Sequence, residues 1–162
     1  MNLRMYFFVP YNISEIQKGI QAGHASLEYV RKYGHTDLCI DFVKRHKTWI
    51  ILNGGTTMDY DEHNRTCGDM NEIRDKLSDN EIIYAEFREP DLNNALTAVC
   101  FIADERVWDF ETYPDWEDWV TKTGSLGALL LEPDSLYEDW KESIGGDKNR
   151  ILRDLIRGKR LA

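Results

Sequence analysis

The chain has 162 residues, of which 42% are hydrophobic and 30% are charged. That length suits one well-cored domain, and the composition excludes a wholly disordered chain. The formal net charge of −9 opposes binding of a long polyanion, whose affinity comes mainly from Lys and Arg contacts to phosphates. No apolar run approaches the roughly 20 residues that span a bilayer, so we expect a cytoplasmic protein with no membrane partner.

The three cysteines, Cys39, Cys67 and Cys100, stand far apart and form no C-x-x-C pair. This spacing indicates neither a disulfide framework nor a zinc site, and we expect no metal and no cofactor. Cys100 lies in an apolar run, which predicts a buried core residue.

The chain opens with a predicted strand and a long helix. Residues 5–10 are apolar and end at a proline, which indicates a buried strand rather than a signal peptide. A helix is predicted over residues 14–33, with Asn12 as its cap and Glu15 as the reciprocal partner in a capping box. Five residues at helical spacing form its predicted apolar stripe: Ile16, Ile20, Gly23, Leu27 and Val30.

The elements that follow alternate between helices and strands. Residues 37–45 predict a short helix and residues 48–52 a second strand. A third helix is predicted up to about Asp79, and two further strands over residues 82–87 and 96–103. This order predicts an α/β fold, a three-layer α/β/α arrangement around a four-stranded mixed sheet.

The last part of the chain has a different composition. We expect residues 1–103 to form the core and residues 104–162 to form a helical extension that packs on it. The extension begins with acids and aromatics and ends in a basic amphipathic helix over residues 148–160. We expect these two segments to pair with each other; the alternative is that the basic helix docks on a partner protein.

Two segments carry a resemblance to a known family. IQKGIQAGHA, from Ile16 to Ala25, resembles the first-helix signature of the type 2 peptidyl-tRNA hydrolases, in which a Gln, a small residue and His-Ala follow the first strand. FREPDL at residues 87–92, leading to Leu96-Thr97-Ala98, is similar to a divergent bacterial and phage branch of the same fold. The resemblance covers residues 5–103 and implies hydrolysis of the ester between a peptide and tRNA.

The resemblance also implies which residues act in catalysis. The family uses a lysine before the first helix, an acid in the loop ahead of the last core strand, and threonines near the start of that strand. The candidates for these roles here are Lys18, Glu89, Asp91 and Thr97, of which only Thr97 maps directly. Lys18 stands along the helix rather than in the turn before it, and the loop with Glu89 and Asp91 replaces the family's own acid loop.

Other residues are candidates for ligand binding. Gln17, Gln21 and His24 share one stripe of the first helix, where an imidazole can transfer a proton and Gln21 can orient a carbonyl or phosphate. The alternative is that His24 only packs between helix and sheet. Beside Pro90, the neighbouring acids suit activation of water or hydrogen bonds to a ribose or base, and Arg88 is a ligand-binding candidate that can hold a phosphate. The alternative is a solvated turn in which Arg88 is a surface ion partner.

A glycine turn, Asn53-Gly54-Gly55, follows the second strand. Loops at the carboxyl ends of parallel strands often bind ligands, and bare glycine amides suit phosphates. We therefore include Asn53 and Gly54 among the ligand-binding candidates, with a tight structural turn as the alternative.

These observations leave two functions open. The first is a peptidyl-tRNA-hydrolase-like enzyme acting on an ester or phosphodiester of a nucleotide-containing substrate. The second is a phage counter-defence protein, acting in the host cytoplasm, that binds or cleaves a small cyclic nucleotide immune signal. Both predict a nucleotide-containing ligand, and a homodimer is left open.

Overall fold

In the computed structural model of the chain, residues 1–57, 59–60, 66–123 and 133–162 are described, with side chains for residues 1–57, 68–122 and 135–162. The described chain divides into two compact units. One comprises Asn2–Ile102 with Gly158–Ala162, and the other comprises Ala103–Arg157 with Met1. The predicted packing of the extension on the core stays a prediction.

The described residues contain six strands: β1 (Leu3–Val9), β2 (Thr48–Asn53), β3 (Asp59–Tyr60), β4 (Thr66–Cys67), β5 (Ala85–Glu89) and β6 (Ala95–Asp104). Four of them form one mixed sheet in the order β2-β1-β6-β5, and β3 and β4 form a separate antiparallel pair. β1 and β2 are parallel, whereas β5 and β6 are antiparallel with a register shift between Phe87 and Arg88. The predicted α/β fold with a four-stranded mixed sheet is confirmed.

Seven α-helices lie in the described part of the chain: α1 (Glu15–Tyr33), α2 (Asp37–Asp41), α3 (Asp69–Asp79), α4 (Glu105–Trp108), α5 (Trp116–Thr123), α6 (Pro133–Ser143) and α7 (Asp147–Ile156). The helix predicted over residues 37–45 is α2 continued by a π-helical turn, Phe42–His46. Every helix in the described part is too short or too polar to serve as a membrane span.

The two faces of the sheet are both covered. On one face, Met5, Phe7 and Val9 of β1 join a core cluster with small residues of α1. On the other face, Tyr6 stacks on Phe101 and Phe8 packs against it at a tilt. A Cβ at Gly54 would meet Met70 and Phe8, so Met70 of α3 packs close to Phe8 on this face. These contacts give the three-layer arrangement that the element order predicted.

The start of α1 differs from the prediction. Ser14 is the N-cap, and the backbone N–H of Gln17 donates to its Oγ at 3.3 Å. In return, the Ser14 N–H donates to Oε1 of Gln17 at 3.2 Å. The predicted pair of Asn12 and Glu15 is wrong, because Ser14 is the extended residue directly before the helix and its hydroxyl reaches the third helical amide.

The buried face of α1 also differs from the prediction. Ile16, Ile20, Leu27 and Val30 are exposed, and the buried residues are Gln21, Ala22, Ala25 and Tyr29. The apolar stripe was therefore wrong as a guide to burial. Two alanines let the helix backbone lie close to the sheet, and the only polar member of the buried face has hydrogen-bond partners for both ends of its amide.

The C-terminal unit is organised around a buried arginine of α7. Arg153 donates to the carbonyl oxygens of Arg106 at 2.5 Å and Tyr113 at 2.7 Å, and to Oδ1 of Asp115 at 2.9 Å. Arg157 pairs with the same carboxylate. The predicted pairing of the acidic segment with the basic helix is confirmed, and it uses desolvated guanidinium hydrogen bonds rather than surface charges alone.

Two thiols lie in the core. Cys39 and Cys100 are both free and buried, and burial raises the pKa of Cys100 to about 12. The prediction that Cys100 is a core residue is confirmed. The side chain of Cys67 lies outside those that the structure describes.

Candidate functional site

A buried glutamine joins two side chains that are distant in sequence. Nε2 of Gln21 donates to Oε2 of Glu89 at 2.8 Å, and Oε1 of Gln21 accepts from the hydroxyl of Thr97 at 2.6 Å. Gln21 is 7% exposed and Thr97 is 1% exposed. Three of the predicted site residues are therefore brought together in one hydrogen-bonded chain.

The local fold explains why these side chains meet. Glu89 is the last residue of β5, and Thr97 stands near the start of β6. The connection is a 3-10 turn, Pro90–Leu92, followed by Asn93 and Asn94, which both have left-handed backbone conformations. Asparagine tolerates that conformation better than most residues, and the tight turn sets the carboxylate beside the threonine.

Thr97 holds the side-chain amide of Gln21 in one orientation. Its hydroxyl is buried and donates its proton to Gln21, and its oxygen also lies 3.4 Å from the carbonyl oxygen of Phe87. The hydroxyl fixes the amide of Gln21 with its oxygen toward Thr97 and its nitrogen toward Glu89. In this arrangement Thr97 orients the glutamine; its predicted catalytic role stays a prediction.

Of the three hydrogen-bonded residues, Glu89 is the one that a ligand can contact. Its side chain is half-buried, and Oε2 is held by Gln21. Among the described residues, we find no second hydrogen bond and no ion pair to this carboxylate. Oε1 therefore has lone pairs available to accept a hydrogen bond from water, a ribose hydroxyl or a base.

His24 lies on the neighbouring surface, one helical turn after Gln21. Its ring stacks on the ring of Phe87, with a centroid distance of 4.5 Å and an interplanar angle of 22°. The residue is otherwise exposed, so one face of the imidazole packs on β5 while its edge stays accessible. Phe87 and Glu89 alternate along β5, which places the imidazole and the carboxylate over the same side of that strand.

Two predicted site residues near the start of α1, Lys18 and Gln17, are engaged within the helix. Nζ of Lys18 pairs with Oε1 of Glu15 at 2.8 Å, and the Lys18 side chain is only 11% exposed. Gln17 forms the capping box with Ser14. Among the described residues, the side chain of Gln21 hydrogen-bonds to Glu89 and Thr97 rather than to either of these two.

Arg88 and Asp91, the other two predicted site residues near this turn, are not part of the hydrogen-bonded chain through Gln21. Nε of Arg88 pairs at 2.9 Å with Oε1 of Glu86, the residue two positions earlier on the same side of β5. Asp91 is exposed in the 3-10 turn and makes no hydrogen bond or ion pair within the described part of the chain.

The backbone amides of the glycine turn after β2 already have hydrogen-bond acceptors in the protein. The three successive amides donate within the protein: Gly54 to the Val9 carbonyl at 2.8 Å, Gly55 to Oδ1 of Asn53 at 2.8 Å and Thr56 to Oδ2 of Asp69 at 3.1 Å. A phosphate at this turn would have to displace those bonds. The turn also holds the loop before α1, because the Tyr11 amide donates to the Gly55 carbonyl at 3.1 Å.

Sequence reasoning missed one contributor to the site. Phe87 supplies the ring on which His24 rests, and neither its type nor its position in a strand predicted that contact. The helical spacing of Gln21 and His24 did predict that both lie near one edge of α1. Among the described residues, no cluster of three or more His, Cys, Asp or Glu side chains is arranged to hold a metal ion.

Comparison with known proteins adds no family assignment. No protein-family model matches the chain, and no curated protein matches it. The geometry around Gln21 and the resemblance of the two segments, residues 16–25 and 87–98, are therefore the features that bear on function.

Proposed function

We propose that this chain is a hydrolase of the peptidyl-tRNA hydrolase type, acting on an ester or phosphodiester of a nucleotide-containing substrate in the cytoplasm. The observation that supports it is the hydrogen-bonded chain from Thr97 through Gln21 to Glu89. It joins the acid before the last core strand, the threonine of that strand and the glutamine of the first helix, which are the elements that the resemblance implies.

In this proposal Glu89 is the general base. Oε1 accepts a proton from a water molecule as the water oxygen bonds to the carbonyl carbon of an ester, or to the phosphorus of a phosphodiester. The bond to the ribose oxygen then breaks, and the protonated imidazole of His24 gives its proton to that leaving oxygen. Gln21 holds the carboxylate in place, and Thr97 holds Gln21.

The test is turnover with two substrates in separate reactions. Peptidyl-tRNA and a cyclic dinucleotide are each supplied in excess over the protein, and the released tRNA or linear dinucleotide is measured. The proposal predicts several product molecules per protein molecule with at least one substrate. Absence of product from both substrates at micromolar protein contradicts it.

A second candidate is supported by a different observation. The ammonium of Lys18 is paired with Glu15 and the hydroxyl of Thr97 donates to Gln21, so two of the four expected catalytic groups already have partners within the protein. That arrangement and the net charge of −9 favour sequestration of a small cyclic nucleotide by a phage counter-defence protein. This function predicts saturation at one ligand per site with the ligand recovered unchanged.

A further inference from the structure

The outer face of α1 is apolar and uncovered. Ile16 is 78% exposed, Ile20 50%, Leu27 68% and Val30 43%. These four residues follow helical spacing and span about 21 Å along the axis at 1.5 Å per residue. Single exposed aliphatic residues are ordinary on protein surfaces, but a continuous stripe marks an interaction surface.

The apolar surface continues past the end of this stripe. Val30 also borders a groove of about 360 Å³, whose lining includes Val43 and Trp49. Val43 is 45% exposed and Trp49 is 42% exposed. The uncovered surface therefore extends from the first turn of α1 to the beginning of β2, beyond the width of a single helix.

Two glycines lie in the middle of the stripe. A Cβ added at Gly19 or at Gly23 would meet no atom within 4 Å, so both positions open toward the outside rather than toward the sheet. A second helix can approach closely where side chains are absent, and large side chains on that helix can fill the space.

Gly23 is the midpoint of the stripe, and residues at equal distances on its two sides form matched pairs. Ile16 and Val30 each stand seven residues from Gly23, and Gly19 and Leu27 each stand four residues from it. When a second α1 lies antiparallel on the first with the two Gly23 residues at the centre, each Leu27 faces the Gly19 gap of the other copy. The face is complementary to itself, which is the requirement for a two-fold interface.

Charges at the ends of α1 favour the same orientation. The first turn carries Glu15, and the last turn carries Arg31 and Lys32. Within the helix, Glu15 pairs with Lys18 and Arg31 pairs with Glu28, so Lys32 supplies the remaining charge of the last turn. An antiparallel pair keeps the two Lys32 side chains apart and opposes the helix dipoles. A parallel pair would bring like charges together.

We infer that the outer face of α1 is an interface between two copies of this chain, with the helices antiparallel and Gly23 at the two-fold axis. The groove beside Val30 adds apolar surface to this interface. This interface does not depend on the proposed function, because the residues that form it are distinct from Gln21, Glu89 and Thr97.

Cysteine cross-linking tests the geometry. In a Cys67→Ser background, the Gly23→Cys variant is expected to form a disulfide-linked dimer on mild oxidation, whereas Lys76→Cys on α3 is not. Ile16→Cys should not link to itself but should link to Val30→Cys when the two variants are mixed. Self-linking of Ile16→Cys, or no linking by Gly23→Cys, overturns the antiparallel interface.

Sedimentation equilibrium tests the interface without a new cysteine. The native chain is expected to have the mass of a dimer, and Leu27→Glu is expected to have the mass of a monomer. Leu92→Glu, at a site that is 47% exposed and outside the stripe, is the matched control and should stay dimeric. A native chain that remains monomeric up to about 100 µM, two decades above a micromolar Kd, overturns the inference.

Discussion

Thr97 and Gln21 are separated by 76 residues and share a 2.6 Å hydrogen bond between buried side chains. The bond connects the first helix to the last strand of the sheet. Because the opposite end of the same amide holds Glu89, the fold of the core and the position of the candidate base depend on one glutamine.

Replacement of Thr97 by valine removes the hydroxyl and preserves the shape of the side chain. Oε1 of Gln21 is then buried without its donor, which costs about 1–3 kcal/mol. We expect a loss of that size in the free energy of unfolding, measured by urea titration. Thr97→Ser keeps the donor and should recover most of the loss; equal destabilisation by serine and valine would contradict the assigned role.

Replacement of Gln21 by glutamate tests the same chain through charge. The new carboxylate would lie in contact with Glu89, so two anions would share a half-buried site and one of them should bind a proton more tightly. We expect a loss of about 3 kcal/mol in unfolding free energy at pH 7 that shrinks as the pH falls and the pair takes up a proton. Gln17→Glu, at an exposed position of the same helix, should show no such pH dependence.

The element order could be predicted from the sequence, because periodicity and turn residues are local signals. The strand before α1, the helix up to Tyr33 and the two closing strands are all present close to the expected positions. The tight turn before Ala95 was marked by Pro90 and its polar neighbours.

The orientation of α1 could not be predicted in the same way. Counting apolar residues favoured the face with Ile16 and Leu27, yet the structure buries the face with Gln21 and Ala25. Burial of the glutamine is acceptable only because partners 68 and 76 residues away satisfy both ends of its amide. Such long-range hydrogen bonds leave no periodic trace in the sequence.

Arg153 is expected to contribute strongly to the stability of the C-terminal unit. Its side chain is 2% exposed, and it donates to two carbonyl oxygens and to Asp115. Arg153→Met leaves those acceptors without a donor, and we expect a loss of about 3–5 kcal/mol in chemical denaturation. Arg150→Met, which removes two partly exposed ion pairs of the same helix, should cost less than about 1 kcal/mol. Similar losses for both variants would contradict this assignment.

The buried thiols predict a pattern of reactivity. Burial raises the pKa of Cys100 to about 12 and also raises the pKa of Cys39, so neither forms the reactive thiolate at pH 8. In a Cys67→Ser variant, the folded protein should not react with Ellman's reagent, and the unfolded protein should release two equivalents. Rapid reaction of the folded protein would contradict the burial of both thiols.

The same shift predicts the direction of stability at alkaline pH. The pKa of Cys100 is higher in the folded chain than the value of about 8.5 for an unfolded thiol, so the folded state binds this proton more tightly. Its contribution is therefore complete below pH 8.5 and is lost as the pH rises above that value. Cys100→Ala should reduce the alkaline decrease in unfolding free energy relative to the native chain.

The most direct measurement compares substrate hydrolysis by the native chain, Glu89→Gln and Glu86→Gln. The glutamine at position 89 keeps an oxygen that can accept the Gln21 hydrogen bond, so the fold is preserved while the base is removed. Glu86 lies on the same strand and pairs with Arg88 instead. We predict that kcat/KM falls by about 10²–10⁴-fold for Glu89→Gln and stays near the native value for Glu86→Gln. An unchanged rate for Glu89→Gln would contradict the assignment of Glu89 as the base.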